Sequence, residues 1–422
     1  MTLTQETLRF IRAHRQDDVR SLALQAGKYP GVDVPAAIMQ IAGWQAIREK
    51  VPTWAGKEGI LFPVHLSLEQ CSSEATARYK AEILAETEVG KHDTFAGKHD
   101  TFTDLTGGFG IDCGFLSAGF REATYVERQS ALCEIAAHNF PLLGLPHVRV
   151  ENDDSLRHLQ AMTPVDWIFL DPARRDGHGG KTVAISDCEP DVSALEDLLL
   201  LKAAHVLVKL SPMLDLTLAL NSLKHVQEAH IVSVGNECKE LLLVLGRGGR
   251  KGNDSAESIP ADSIPIHCIN LNDTQDTQTL TFTRQQEKQE KEEKQDACPY
   301  APALKAYLYE PNASILKAGA FRSVSHIYKV EKLHPNSHLY TSDEYLPHFP
   351  GRKFRIISAC GFNKKEVKEM LSGEKKANLT VRNFPATVAE LRKRLKLAEG
   401  GETYLFATTM ADEERKLILC AK

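Results

Sequence analysis

No stretch of this 422-residue chain holds the roughly 20 consecutive apolar residues needed to span a bilayer, so no membrane-spanning role is expected. A secretory leader is not expected either: MTLTQETLRFIRAHRQDDVRS turns charged before an apolar core develops, and the chain reads as cytoplasmic. Cysteine is scattered, with nine residues at 71, 113, 133, 188, 238, 268, 298, 360 and 420, never as C-x-x-C. That pattern argues against a disulfide framework and against a structural zinc, so reduced thiols and no structural metal are expected. A strong charge of either sign is also lacking. A net charge of −5 argues against indiscriminate nucleic-acid binding.

The distribution of that charge is uneven. Residues 351–422 carry 16 Lys and Arg against 9 Asp and Glu, a local +7 that leaves −12 for the remainder. A basic terminal module on an acidic body suggests an anionic partner for that module; a solvated surface that is merely basic is the plainer alternative.

The length exceeds one ordinary domain. Residues 1–88 read as helical, from Leu8, Ile11, Val19, Leu22 and Leu24, then Ala37, Ile38, Ile41, Trp44 and Ile47, near helical spacing. Ser72-Ser73 is a candidate N-cap for a helix over ATARYKAEILAE. The tandem GKHDTFA–GKHDTF (90–102) reads as a polar connector. From Phe102 to about 250, short apolar strands alternate with helical segments, which implies an α/β, Rossmann-like fold with a mostly parallel sheet covered on both faces. The last two strands, IVSVG and ELLLVLG, are joined only by NECK, too short for a parallel crossover, so one late strand must be antiparallel.

After that, GRGGRKGNDSAES is a loop and RQQEKQEKEEKQD (284–296) a solvated helix or disordered loop. Residues 255–350, with strands IHCIN and LTFT, are expected to form a small α+β domain. Residues 351–422 are expected to form a second one, of order β-α-β-α-β-β. There Asn363 with Glu366, and Thr387 with Glu390, make capping boxes. The second capped helix should bury Val388, Leu391 and Leu395 and present Arg392, Lys393, Arg394 and Lys396 elsewhere.

The strongest chemical signal is the D-L-T-G-G-F-G-I-D run from Asp104 to Asp112, at the end of the first strand. Carboxyl ends of parallel strands form the ligand crevice of such folds, and glycines admit close backbone approach. Gly108, Gly110 and Cys113 occupy the G-x-G-x-x-G positions, so the dinucleotide fingerprint fails at its third glycine. Asp104 suits a ligand with an ammonium group, such as the methionyl end of S-adenosylmethionine. Glu127 ends the second strand and suits two ribose hydroxyls. Asp154, after the third strand, is placed to meet an adenine amine. Taken singly, Asp104 could cap a helix and Glu127 could be a surface residue; the order of three acids at three strand ends favours the cofactor.

That ordered set resembles class I S-adenosylmethionine-dependent methyltransferases over residues 102–250. The D-x-T-x-G-x-G variant, with Thr106 replacing the usual first glycine ahead of Gly107 and Gly108, looks like that of some ribosomal-RNA guanine methyltransferases. The whole chain resembles a bacterial group of methyltransferases with a THUMP-like C-terminal domain. The resemblance covers a helical N-terminal domain (1–88), a methyltransferase domain (89–250), a ferredoxin-like insert (255–350) and a terminal module (351–422) bearing RNFPATVAELRKRLKL. It implies S-adenosyl-L-methionine as cofactor and, because THUMP modules in related enzymes bind RNA, an RNA substrate (rRNA or tRNA). Arg392, Lys393, Arg394 and Lys396 would then be RNA contacts.

The second constellation, D-P-A-R-R-D-G-H-G-G-K from Asp171 to Lys181, closes the fourth strand. Amino-methyltransferases have Asp/Asn-Pro-Pro-aromatic here, the carboxylate or amide and the proline carbonyl accepting hydrogens from the acceptor amine while the aromatic stacks on the base. Asp171 and Pro172 fit that pattern. Ala173 replaces the second proline and Arg174 the aromatic, and a guanidinium can stack on a base or hold a phosphate. Asp-Pro-x-Arg also resembles 5-methyluridine enzymes, but those need a cysteine nucleophile beside the fifth strand. The stretch V-K-L-S-P (208–212) has none. Lys209 reads equally as a substrate-facing or an ion-paired lysine. DGHGGK reads as a clamp or a plain loop, its His178 solvated.

The expectation is methyl transfer to a base nitrogen of RNA, with Asp171, Pro172 and Arg174 at the acceptor. The rivals are the same core acting on a small molecule or protein, and an RNA-binding protein whose core is inactive.

Overall fold

The computed structural model describes residues 3–86, 99–174, 184–247, 260–272, 277–292 and 299–422. The DGHGGK loop, the first copy of the tandem, Cys298 and the side chain of Arg174 lie outside the described residues. Two compact units divide the chain, one of Met1–Gln227 with Glu240–Ile259, the other of Glu228–Lys239 with Pro260–Lys422.

The first unit opens with helices α1 (Gln5–Ala13), α2 (Val19–Leu24), α3 (Val34–Ile47), α4 (Pro52–Ala55), α5 (His65–Gln70) and α6 (Glu74–Glu86). Thr4, Asp18 and Asp33 start the first three by accepting a first-turn N–H, which otherwise lacks a partner. Phe10, Leu22, Ala37 and Ile41 close a small core. Leu24, read as part of the apolar face, is 89% exposed, because α2 ends there and its last side chain has no layer to pack on.

Strands and helices then alternate through β1 (His99–Asp104), α7 (Ile111–Leu116), β2 (Phe120–Val126), α8 (Ser130–Leu142), β3 (Val148–Glu151), α9 (Ser155–Ala161) and β4 (Val165–Leu170). The two-residue strands β5 (Ala173–Arg174) and β6 (Cys188–Glu189) pair with each other. Next come α10 (Val192–Lys202), β7 (Ala203–Leu210), α11 (Leu216–Ser222), β8 (Val226–Val234) and β9 (Glu237–Gly246). In this unit the order is β9-β7-β4-β1-β2-β3, parallel throughout except that β9 runs antiparallel to β7. Val206, Leu207 and Val208 are successive and fully buried, as a strand covered on both faces requires. A mostly parallel α/β sheet with one antiparallel late strand is thus what forms.

The helical segment is fastened to the loop after β1. The Trp54 ring meets Phe109 edge-on at 5.3 Å, and a Cβ at Gly114 would sit 2.7 Å from that indole. Glycine at 114 is therefore what lets the N-terminal helices close on α7.

In the second unit β8 pairs in parallel with β10 (Ile266–Leu271), which pairs antiparallel with β11 (Gln278–Phe282). The helix α12 (Arg284–Glu292) accounts for the described part of the charge run. After it follow β12 (Tyr307–Pro311), α13 (Ala313–Ala318), α14 (Phe321–Tyr328), β13 (Glu331–Lys332) and β14 (Tyr340–Ser342). The final stretch is β15 (Gly351–Gly361), α15 (Lys364–Met370), β16 (Asn378–Arg382), α16 (Val388–Leu395), β17 (Thr403–Thr409) and β18 (Arg415–Ala421). Their sheet has the order β13-β14-β12-β15-β18-β17-β16. Both capping pairs form, with one change: Glu366 reaches back to the Gly361 N–H at 2.8 Å, two residues before its cap.

Tyr309-Glu310-Pro311-Asn312 acquires a structural role in this sheet. The buried Glu310 carboxylate pairs with Arg352 and, at 2.7 Å, with Arg382, and Asn312 caps α13. Among the described residues no helix is long and apolar enough to cross a membrane.

Candidate functional site

Because β1, β2, β3 and β4 are parallel, their carboxyl ends share one edge, and the acids read from the sequence fall there. Asp104 is fully buried. Its Oδ1 accepts the Thr106 N–H at 2.9 Å, while Oδ2 is buried without a hydrogen-bond partner. Burial pushes its carboxyl well above the usual range, and the carboxylates of Asp112, Asp171 and Glu127 push the same way. A buried carboxylate oxygen without a hydrogen-bond donor is costly by itself and suits a cationic ligand group.

The loop after Asp104 is shaped by its glycines. Gly108 (φ 56°) and Gly110 (φ 90°) adopt the left-handed conformation that side chains disfavour, and a Cβ on Gly107 would lie 2.2 Å from the Tyr125 ring. The Tyr125 hydroxyl donates to the Gly108 carbonyl at 2.6 Å, and the Gly108 N–H donates to Glu127 Oε2 at 3.0 Å. Glu127 Oε1 accepts the Gln129 N–H at 2.8 Å. Each oxygen keeps a lone pair, so the carboxylate is oriented by backbone and still able to accept from a ligand hydroxyl. Asp154 is exposed and its Oδ1 caps α9, accepting from Leu156 and Arg157.

The acceptor side is tied to the same loop. Thr106 Oγ1 accepts the Asp171 N–H at 2.6 Å, so the hydroxyl standing where a glycine is usual stitches the end of β1 to the end of β4. Pro172 is buried. Asp171 Oδ2 accepts from Lys209 Nζ at 2.5 Å, and the same ammonium lies 3.5 Å from Asp112 Oδ2. Lys209 is thus ion-paired. Burial opposes its charge, but Asp171, Asp112 and Glu240 more than offset this and raise its pKa.

Three members of this network, Lys80, Asp112 and Glu240, carried no role in the sequence reading, and a fourth, Ser72, carried a different one. Lys80 of α6 is fully buried between Glu240 Oε2 (2.6 Å) and Asp112 Oδ1 (3.1 Å). Ser72 donates to Asp112 Oδ2 at 2.7 Å instead of capping α6, which Ser73 does by accepting the Thr76 N–H. Burial works against the Asp112 charge, yet Lys80 and Lys209 hold its carboxyl below the usual range. One signal was legible: Lys80 falls in the stripe of Thr76, Ala77, Ile83 and Leu84 that α6 buries. A lysine in an apolar stripe calls for a buried carboxylate. Which carboxylates would answer was decided by pairing distant in sequence.

Cys113, beside this loop, is fully buried; burial pushes its thiol well above the normal range, with Asp104 and Asp112 adding to the effect, which disfavours the reactive thiolate.

The basic cluster lies in the second unit. Lys393, Arg394 and Lys396 are exposed, with the Arg394 guanidinium 4.3 Å from the centre of the Phe362 ring. Arg392 is turned inward, donating to the Ala377 carbonyl at 3.3 Å, and pairs with Glu399 at 3.4 Å. Leu391 is buried, but Val388, expected beside it, is 37% exposed because it occupies the first residue of α16.

A protein of Porphyromonas gingivalis W83, provisionally assigned as a methyltransferase in its crystal structure, is 35% identical, with 100% of both chains covered and a TM-score of 0.83. A ferredoxin-like domain model matches residues 307–350 and a THUMP domain-like model matches 351–422. An rRNA methylase of Streptococcus thermophilus is 14% identical over 40% of this chain and 93% of its own, with a TM-score of 0.28. A SAM-dependent methyltransferase of Agrobacterium tumefaciens is 20% identical over 33% and 45%, with a TM-score of 0.25. At those scores the last two carry no argument. No curated protein matches the chain.

Proposed function

The chain belongs to the family of the Porphyromonas gingivalis protein assigned as a methyltransferase, and from that premise we propose that it transfers a methyl group from S-adenosyl-L-methionine to a base nitrogen of RNA. The observation that carries the cofactor is Asp104: a buried carboxylate oxygen without a partner, at a strand end beside a glycine loop. The cofactor's ammonium is the group that such an oxygen lacks. Glu127, pre-oriented by Gly108 and Gln129, would take the ribose hydroxyls, and Asp154 the adenine amine. Gly107, Gly108 and Gly110 leave the loop without side chains that would obstruct approach.

When bound, the cofactor supplies a sulfonium-activated methyl. The protein's part is alignment of an acceptor lone pair with that methyl, for which no strong base is required. Asp171 and the Pro172 carbonyl would accept N–H groups of the base amine and aim its lone pair. Lys209 fixes the Asp171 carboxylate and balances its charge. Arg174 would stack on the base or hold a phosphate. RNA is supported by the THUMP domain-like match and by the exposed Lys393, Arg394 and Lys396 within it.

The test is transfer of tritium from methyl-labelled cofactor onto size-fractionated cellular RNA. Label should enter one RNA size class with the wild type and be absent with Asp171→Ala, whose affinity for S-adenosylhomocysteine stays within about twofold, less than 0.5 kcal/mol. Label in protein or small-molecule fractions would replace RNA with another substrate. Equal loss of transfer and cofactor binding would remove Asp171 from the acceptor site.

A further inference from the structure

Away from the strand-end site, three side chains converge on one face of the β8–β10–β11 sheet. Glu228 and His230 are two apart on β8 and therefore project to the same side. His267 on β10 is the direct register partner of His230. The two imidazoles stack at 4.6 Å with 21° between planes. Glu228 Oε1 lies 3.8 Å from His230 Nε2 and Oε2 lies 3.4 Å from His267 Nε2. One donor atom from each residue falls within 4.8 Å of the other two.

We propose that Glu228, His230 and His267 bind a divalent transition-metal ion of the zinc class, which clamps β10 to β8. A tetrahedral ion with bonds of about 2.1 Å holds its ligands roughly 3.4 Å apart, so shifts of about an ångström bring all three donors onto one ion. Two imidazoles and a carboxylate form the donor set that zinc and its neighbours favour, and three protein ligands leave a fourth position for water.

The third strand supplies independent support. His267 Nδ1 shares a 3.0 Å hydrogen bond with Thr281 Oγ1 on β11. With Nδ1–H donating to that hydroxyl, the lone pair of the ring sits on Nε2, and Nε2 is buried without a hydrogen bond. A metal-binding histidine is typically held this way, its second nitrogen fixed by an outer partner. The residues come from segments 37 positions apart and include no cysteine, which is why the spacing that excluded a cysteine zinc site could not reveal them.

The experiment uses the full chain after chelation and dialysis. Zinc titration by calorimetry should show one ion per chain, and Co2+ should give visible d–d bands without the near-ultraviolet thiolate band that cysteine ligation produces. His230→Ala and His267→Ala should each abolish the bands. Thr281→Val, which keeps all three ligands, should weaken zinc binding about 10–100-fold. Zinc should raise the wild-type melting temperature and leave that of His267→Ala unchanged. Absence of binding, a thiolate band, or bands that survive in both histidine variants would overturn the proposal. Should the histidine variants fail to fold, wild-type affinity in Thr281→Val overturns it equally.

Discussion

Asp104 should make cofactor binding and stability respond to pH in opposite directions. Its carboxyl is held well above the usual range by burial first and by Asp112, Asp171 and Glu127 second. An acid whose native pKa is raised binds a proton in the folded chain that the unfolded chain has released. Its contribution to stability is therefore greatest below the unfolded value of about 3.9 and declines as pH rises toward the folded value, by about 1.4 kcal/mol per pH unit crossed. A ligand ammonium beside Oδ2 favours the ionised form, so binding must expel the proton. Below the free-protein pKa, the affinity for S-adenosylhomocysteine should rise about tenfold per pH unit, then level off. Calorimetry in buffers of different ionisation enthalpy should register up to one proton released per ligand bound. Asp104→Asn cannot ionise: it should show no proton release and bind about 1.5–3 kcal/mol more weakly, the range for a hydrogen bond to a charged group. The same variant, without ligand, should melt at a higher temperature than wild type at neutral pH, because folding no longer has to bury a carboxyl that is ionised in the unfolded chain. Wild-type affinity in Asp104→Asn, or a lower melting temperature with unchanged proton release, would refute the assignment of Asp104 to a cationic group.

Two further outcomes follow from the buried network and the basic helix. Lys80→Met, which removes the buried ammonium that Asp112 and Glu240 share, should cost about 3–5 kcal/mol in urea unfolding, and Lys80→Met with Glu240→Leu should recover part of it. A double variant no better than the single would mean the two charges are independent. In salt titrations of RNA binding, changing Lys393, Arg394 and Lys396 to Ala should flatten the slope of log affinity against log salt by about two, at roughly 0.7 per phosphate contact. Arg392→Ala should leave that slope unchanged because its guanidinium is occupied at Ala377 and Glu399, and superimposable slopes for the triple variant would make the helix a merely solvated face.

By itself the sequence determined those features that depend on local pattern. Apolar runs of strand length alternating with helical periodicity specify a mostly parallel sheet, and the NECK link is too short for the crossover that a parallel pair needs, so one late strand must be antiparallel, as β9 is to β7. Acids at successive strand ends could be ordered along the chain because parallel strands bring every carboxyl end to one edge. The capped helices of the last seventy residues were legible too, since capping is satisfied within one turn.

What only the tertiary structure decided is which charges meet. Lys80 and Glu240 are 160 residues apart, and Lys209 and Asp171 are 38 apart on strands that become neighbours only when the sheet forms. Local pattern could mark Lys80 as misplaced in an apolar stripe but held nothing about its partners. Likewise, that Arg392 turns inward while Lys393 stays exposed depends on the Ala377 carbonyl that the fold sets beside it. Periodicity is a one-dimensional property and survives in the sequence; the pairing of buried charge depends on distances through space, which exist only once the chain has folded.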